Sequence, residues 1–262
     1  MPSAFAHRKF SEVVFERLSP SAKEKLAANE RFYLIGAHGP DILFYYKPLT
    51  RNSVRALGHA MHQRAARPFF QAAKRKISDS AEPDAALAYT AGFITHFVLD
   101  SSCHGYVSEK IKESGVSHTK IEAEFDRALL VKDGKDPLHA KLAEHFCSQK
   151  RYASIIAPFF ELTTAQTQRT LASVKWYSNL LLAPNDAKRT AIDAVLRAAG
   201  KYDDLHEVVM SKVPDPACAD SSQKLEKLMM ESVPAACSLI EAYIENLDND
   251  EPTDDRFDRN YD

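Results

Sequence analysis

The segment Pro83–Ser114 limits the folds open to this chain more than any other stretch. Its first half is apolar on nearly every side of a helix, and the residues responsible are Ala85, Ala86, Ala88, Ala91, Phe93, Ile94, Phe97, Val98 and Leu99. A helix of that kind lies inside a bundle, with other helices around it. Gly115 suits a C-terminal cap. The sequence therefore predicts a long central helix over residues 83–114.

Other stretches with helical spacing lie on both sides of this helix. Ser117 is expected to cap a helix that runs to about Leu130, and Pro68 is expected to kink or divide a helical region over residues 52–77. Further helices are predicted over residues 19–29, 137–147, 152–182, 184–199 and 221–247. The chain has only 8 glycines and shows neither a repeat nor an alternating strand pattern. We expect a single all-α domain of about nine or ten helices over residues 1–250.

The end of the chain is strongly acidic, and the sequence predicts a solvated, disordered tail over residues 251–262. The whole chain has a formal net charge of −2, so a nucleic-acid partner is not expected. There is no apolar run of about 18 residues that would span a membrane. The start lacks the pattern of a secretory signal. We expect a cytoplasmic protein with reduced cysteines.

Polar residues interrupt the apolar surface of the central helix at one place. His96, Asp100 and His104 are four residues apart, so at about 100° per residue they fall within about 80° of each other on one face. A buried, unpaired carboxylate is costly, and a divalent cation would offset that cost. Each residue alone is compatible with an ordinary hydrogen-bonded core position, but the joint pattern favours a metal site.

The next predicted helix repeats this arrangement. His118 and Glu122 are one turn apart on one face, and imidazole together with carboxylate suits zinc. Three more candidates lie upstream: Asp41 at a sharp turn, His62 on the following helix and His7 near the N-terminus. A site with several zinc ions needs about this many ligands, because a catalytic zinc keeps roughly three protein ligands.

The order of these residues resembles that of the zinc-dependent phospholipase C family, which is similar in fold to the single-strand-specific zinc nucleases. The family order is an N-terminal His, an Asp, a His, His-x-x-x-Asp, a His and His-x-x-x-Glu/Asp, and this chain has His7, Asp41, His62, His96, Asp100, His104, His118 and Glu122. The segments GAHGPDILFYY (36–46) and THFVLDSSCHGY (95–106) also resemble bacterial members without a secretion signal. The similarity covers about residues 5–126.

The resemblance implies a site of two or three zinc ions at the base of a cleft. One ion would bind Asp41, His62, His96 and Asp100, a second would bind His104, His118 and Glu122, and a third would bind His7 with Asp100 as a bridge. It also implies that Asp41 acts as the general base. Because zinc lowers the pKa of bound water to near 7, the expected reaction is hydrolysis of a phospholipid or another phosphodiester.

Two features depart from the secreted members of the family. Those proteins use the amino group of an N-terminal Trp on the third zinc, whereas this chain begins with Met1 and Pro2. If Met1 were removed, the imino nitrogen of Pro2 would be a hypothetical ligand. The interval from His96 to His104 is also two residues shorter than in the secreted enzymes. His59, three residues before His62, competes with it as a ligand.

Other interpretations remain open from the sequence. The preferred function is a phospholipid hydrolase that makes peripheral contact with a membrane. The alternatives are a nuclease or nucleotide phosphodiesterase, a phosphomonoesterase, and a metal-binding protein without catalysis. A nuclease would favour stacking aromatics and a basic groove, and the sequence has no clear version of either. The aromatic residues at 44–46 and 69–70 fit either a lipid-facing cleft mouth or the core.

Overall fold

A computed structural model describes residues 4–247 and 254–261. Within those residues the chain forms twelve α-helices and no strand, which confirms the all-α prediction with slightly more helices than expected. The α-helices are α1 (Ala4–Arg17), α2 (Pro20–Ala27), α3 (Glu30–Gly36), α4 (Ser53–Gln63), α5 (Arg67–Ser78), α6 (Pro83–Ser114), α7 (His118–Lys132), α8 (Lys150–Ile156), α9 (Thr164–Leu181), α10 (Asp186–Ala198), α11 (Tyr202–Leu205) and α12 (Ala219–Glu245). Short 3-10 segments span Gly39–Tyr45, Ala157–Phe160, His206–Val208, Pro216–Cys218 and Asp255–Asp258.

The long helix α6 lies at the centre of the bundle, as the sequence predicts. All its residues from Ala85 to Asp100 are buried. Gly115 ends it in a left-handed conformation with φ of 71°. The side chain of Ser117 then accepts a hydrogen bond from the backbone N–H of Lys120 and begins α7. The end of α6 and the start of α7 are therefore set by the capping residues that the sequence predicts.

The helices α3 and α6 cross at backbone contact. A Cβ atom added to Gly36 would lie 2.1 Å from the carbonyl oxygen of Tyr89, and one added to Gly92 would lie 1.9 Å from that of Tyr33. A larger residue at either position would push the helices apart. Because the 3-10 segment Gly39–Tyr45 follows α3 directly, the close crossing brings this segment against the polar face of α6.

The region around Pro68 is divided, as expected, because α4 ends at Gln63 and α5 begins at Arg67 with the proline in its first turn. The prediction of a helix over residues 137–147 is wrong, and this stretch forms turns. The carboxylate of Asp136 accepts a hydrogen bond from the backbone N–H of Leu138 (2.9 Å), a local bond that competes with helix formation.

Residues 254–261 do not form the solvated tail that the sequence predicts. Phe257 and Tyr261 are each 1% exposed, and the ring of Phe257 packs 4.2 Å from that of Phe70. The guanidinium of Arg67 donates to the carboxylate of Asp255 over 2.8 Å. The two buried aromatic rings hold the segment against the bundle, while Asp255, Asp258 and Arg259 stay exposed. Residues 251–253 and 262 of the predicted tail lie outside the described residues.

Candidate metal centre

The carboxylate of Asp100 lies in the middle of four histidines from α1, α4 and α6. Its Oδ1 is 3.2 Å from Nε2 of His7 and 3.9 Å from Nε2 of His104. Its Oδ2 is 3.1 Å from Nε2 of His96 and 3.7 Å from Nε2 of His62. Burial raises the pKa of Asp100, but the neighbouring imidazoles outweigh it and hold the pKa well below its usual range. Asp100 is therefore an anion inside the bundle.

The 3-10 segment Gly39–Tyr45 brings a second carboxylate to this cluster. Oδ1 of Asp41 lies 3.1 Å from Nε2 of His62, and its Oδ2 lies 3.9 Å from Nδ1 of His96. A Cβ atom on Gly39 would lie 2.2 Å from Cδ2 of His96, and the φ of this glycine is +48°. Only glycine therefore allows the turn to approach the imidazole this closely.

His62 is oriented by its own helix. Its Nδ1 lies 2.8 Å from the carbonyl oxygen of Gly58, which directs Nε2 towards the carboxylates of Asp41 and Asp100. Burial lowers the pKa of His62, but the hydrogen bond with Asp41 and the charge of Asp100 raise it further, to about 9. The competing candidate His59 is exposed on α4, with its ring 4.6 Å from Phe44. The structure thus brings His62, and not His59, to the carboxylates.

A third group of side chains joins α6 to α7. Nε2 of His118 lies 2.9 Å from Oε1 of Glu122, and Nε2 of His104 lies 3.7 Å from the same oxygen. Glu122 is buried, whereas the side chain of His118 is 46% exposed, so this group lies at the edge of the cluster. Burial raises the pKa of Glu122, but the imidazoles of His104 and His118 outweigh this and lower it to about 2.

These side chains fit zinc. The ligand atoms within each of three groups lie within 4.8 Å of one another, and the groups are His7, His96 and Asp100; Asp41, His62 and His96; and His104, His118 and Glu122. Ligands at about 2.1 Å from a tetrahedral zinc are roughly 3.5 Å apart, which is close to the spacing here. Several buried atoms have no partner in hydrogen-bonding geometry among the described residues, although some lie close to an opposite charge; they are Nδ1 of His7, both ring nitrogens of His96, Oδ2 of Asp41, Oδ2 of Asp100 and Oε2 of Glu122. Such atoms are costly in a core unless a cation binds them.

A family model described as zinc dependent phospholipase C matches residues 5–174 of the chain. The chain belongs to this family. No curated protein and no solved structure matches it. The matched region contains all eight residues that the sequence nominates as metal ligands, from His7 to Glu122. The description of the family specifies zinc, which agrees with the donor set in the structure. It also specifies phospholipids as the family's class of substrate.

One residue of this phospholipase C-like site was missed in the sequence. Asp126 is buried on α7, and its carboxylate accepts hydrogen bonds from the backbone N–H groups of Phe5 (2.9 Å) and Ala6 (2.8 Å). Both groups lie in the first turn of α1, where helical N–H groups lack partners within the helix. Asp126 therefore anchors the end of α1 that carries His7. Burial raises the pKa of Asp126 to about 7.

The spacing of Asp126 is the signal that could have revealed it. It follows Glu122 by four residues and His118 by eight, which repeats the pattern of His96, Asp100 and His104 on α6. Its partners are backbone amides, however, and no side chain in the sequence indicates them. The hypothetical imino ligand Pro2 lies outside the described residues.

His38 and His145 form a buried pair next to the cluster. Their Nε2 atoms are 2.8 Å apart, and their rings stack at 4.9 Å between centroids. Burial lowers the pKa of His145 to about 3 and lowers the pKa of His38 well below its usual value. Neither residue belongs to the three groups of candidate ligands. His38 directly precedes the 3-10 segment Gly39–Tyr45, so the pair packs beside the turn that carries Asp41.

Of the aromatic residues at 44–46 and 69–70, some lie in the core and one lines a cleft. Phe70 is fully buried in the core, and Phe69 stacks 4.1 Å from Phe93. Tyr45, in contrast, lines a cleft beside the metal centre together with residues of α7 and α9. Position 45 thus contributes to a cleft wall, while positions 69 and 70 pack against the bundle.

Proposed function

We propose that this protein hydrolyses phosphodiesters with the help of bound zinc and that its substrates are phospholipids. Two lines of support carry the proposal: the family match and the buried cluster of carboxylates and imidazoles centred on Asp100. Contact with a membrane surface, from which the substrate is taken, is part of the proposal. In the part of the chain that the structure describes, no helix is both long and apolar enough to cross a membrane.

The side chains divide into three ligand sets. Asp41, His62, His96 and Asp100 would hold one zinc, His104, His118 and Glu122 would hold a second, and His7 would hold a third with Asp100 as the shared ligand. When bound, zinc lowers the pKa of a coordinated water and neutralises phosphoryl oxygens. The number of ions is part of the proposal.

The protein residues contribute orientation and proton transfer. Gly58 fixes the ring of His62 through its carbonyl oxygen, and Asp126 fixes the helix that carries His7. Oδ2 of Asp41 is buried and accepts no hydrogen bond from the residues that the structure describes. This oxygen is the one we assign as general base, accepting a proton from the attacking water. The half-exposed His118 places the edge of the centre within reach of a substrate.

A side-by-side assay tests this function. Zinc-loaded protein is given phosphatidylcholine, single-stranded DNA and p-nitrophenyl phosphate, with phosphocholine, nucleotide and phenolate release measured. We expect release from phosphatidylcholine, abolished in Asp100→Ala and retained in Glu24→Ala, a change at an exposed carboxylate on α2, outside both the cluster and the clefts around it. Activity confined to DNA or to the monoester would contradict the phospholipid proposal. Full zinc content with activity on none of them would favour a metal-binding protein without catalysis.

A further inference from the structure

An open cleft lies beside the metal centre. It encloses about 760 Å³, counting the space at its mouth, and its wall comes from α7, α9 and the loops around them. Most of that wall is apolar and includes Leu138, Leu142, Leu181, Leu182, Val208 and Met210. A concave surface of this composition is typical of a site for an apolar ligand.

The wall has few polar groups. The carboxylate of Asp126 already accepts hydrogen bonds from the N–H groups of Phe5 and Ala6, and the other polar side chains are the hydroxyls of Tyr45, Thr119 and Ser178. Lys, Arg and His are absent from the described residues that line the cleft. What remains for a ligand is therefore mostly apolar surface, with no cation that would favour a phosphate there.

None of the eight candidate ligands is among the described residues that line the cleft, but chain neighbours of one ligand group are, and an adjoining cavity reaches a second group. The cleft wall includes Thr119 and Ala123, which directly follow His118 and Glu122 on α7. A smaller cavity is lined by Asp41 and shares four wall residues with the cleft: Ala4, Tyr45, Leu142 and Ser178. A molecule bound in the cleft would therefore have one end close to the metal centre.

We propose that the cleft binds one acyl chain of a phospholipid while the phosphodiester lies at the metal centre. The inference rests on the proposed function for the identity of the substrate. Each methylene removed from water raises affinity about fourfold, so a chain of several carbons would dominate binding. A nucleobase would leave its polar edges without partners in this wall.

Part of the wall lies outside the region that the family model matches. The family match ends at residue 174, whereas Ser178, Leu182, Val208 and Met210 lie beyond it. The cleft therefore does not follow from membership of the family. It depends on how α9 and residues 206–210 pack against the matched region.

Binding of a fluorescent fatty-acid analogue to the zinc-loaded full chain tests the cleft without turnover. The variant Leu182→Asp adds a charge to the wall, and Leu180→Asp makes the same change at a side chain that is 42% exposed and does not line the cleft. Both changes lie at the C-terminal end of α9, so the helix dipole has a similar effect on the two added charges. We expect about tenfold weaker binding for Leu182→Asp and the parent affinity for Leu180→Asp.

A second variant keeps the test informative if Leu182→Asp fails to fold. Ala140→Phe fills the cleft from a different segment and adds no charge. We expect it to weaken binding of the same analogue, with an unchanged far-ultraviolet circular dichroism spectrum. Parent-like affinity in both Leu182→Asp and Ala140→Phe would overturn the proposal.

Kinetics separate this proposal from the proposed function. The measured quantity is the ratio of kcat/KM for dioctanoylphosphatidylcholine to that for glycerophosphocholine, which has no acyl chain. We expect the ratio to fall about tenfold in Leu182→Asp. An unchanged ratio with both substrates hydrolysed would overturn the cleft proposal and leave the hydrolase intact. Binding of the analogue that depends on Leu182, with no hydrolysis of either substrate, would support the cleft and overturn the hydrolase.

Discussion

The backbone N–H of Tyr261 donates to the carbonyl oxygen of His62 over 3.2 Å, so the C-terminal segment packs directly on a candidate zinc ligand. The ring of Tyr261 lies 5.5 Å from that of His62 and 5.8 Å from that of His96. A segment outside the matched family region thus completes the wall around the metal centre.

Replacement of Tyr261 by Ala should destabilise both the fold and the site. Loss of a fully buried ring costs about 3–5 kcal/mol and leaves a cavity beside His62 and His96. The matched control is Tyr261→Phe, which removes a buried hydroxyl without a hydrogen-bond partner in the described part of the chain and should change stability by less than about 1 kcal/mol. Urea unfolding and zinc titration check both variants. Equal losses in the two variants would show that the ring has no such role.

Gly39→Ala should displace the ring of His96 while leaving every candidate ligand residue in the chain. Its new Cβ would lie 2.2 Å from the ring of His96, so the imidazole must move and zinc content should fall by about one ion. Gly200→Ala is the control, because Gly200 also has a positive φ (62°) but its Cβ would meet nothing within 4 Å. Both variants carry about 1–2 kcal/mol of backbone strain. Full zinc content in Gly39→Ala, measured by atomic absorption, would argue against the position assigned to His96.

Asp126→Ala should loosen the start of α1. Two buried N–H groups lose their acceptor, which costs about 1–3 kcal/mol each, and His7 loses its support. We expect a lower unfolding midpoint and weaker binding of the last zinc ion. Asp133→Ala is the control, since it removes surface ion pairs with Lys9 and Lys135 that are worth about 0–1 kcal/mol each. If the two variants behave alike, Asp126 is not an anchor.

Acid should destabilise the fold through His145. Burial lowers its pKa to about 3 in the folded state, against 6.5 when unfolded, so unfolding takes up a proton between these values. The associated stability is present above pH 6.5 and is lost as the pH falls towards 3. Between pH 7 and pH 5 the loss amounts to about 2 kcal/mol.

His145→Gln removes this titration while keeping a group that can bond to His38. The variant should therefore lose less stability than the parent between pH 7 and pH 5, when both are unfolded in urea with zinc present. His139→Gln, at a side chain that is 63% exposed, should follow the parent curve. Parallel curves for parent and His145→Gln would refute the assignment.

The sequence predicts those parts of the site that depend on helical spacing. His96, Asp100 and His104 can be recognised as a group because a period of 3.6 residues puts them on one face of a helix. The caps at Gly115 and Ser117 can be recognised because they depend on neighbouring residues alone. Contacts between distant segments leave no such pattern. The partners of Asp126 are backbone amides at the other end of the matched region, and residues 254–261 pack through two aromatic residues among acidic ones.

The most direct test compares the zinc content of the purified parent with that of His96→Ala and Asp100→Ala. It shows whether the buried imidazoles and carboxylates are stabilised in the core by bound cations. We expect about two or three zinc ions per chain in the parent and at least one fewer in each variant. Asp136→Ala, at an exposed carboxylate, should keep the parent value. A folded, active parent that contains no metal would contradict the zinc centre and, with it, the proposed hydrolysis.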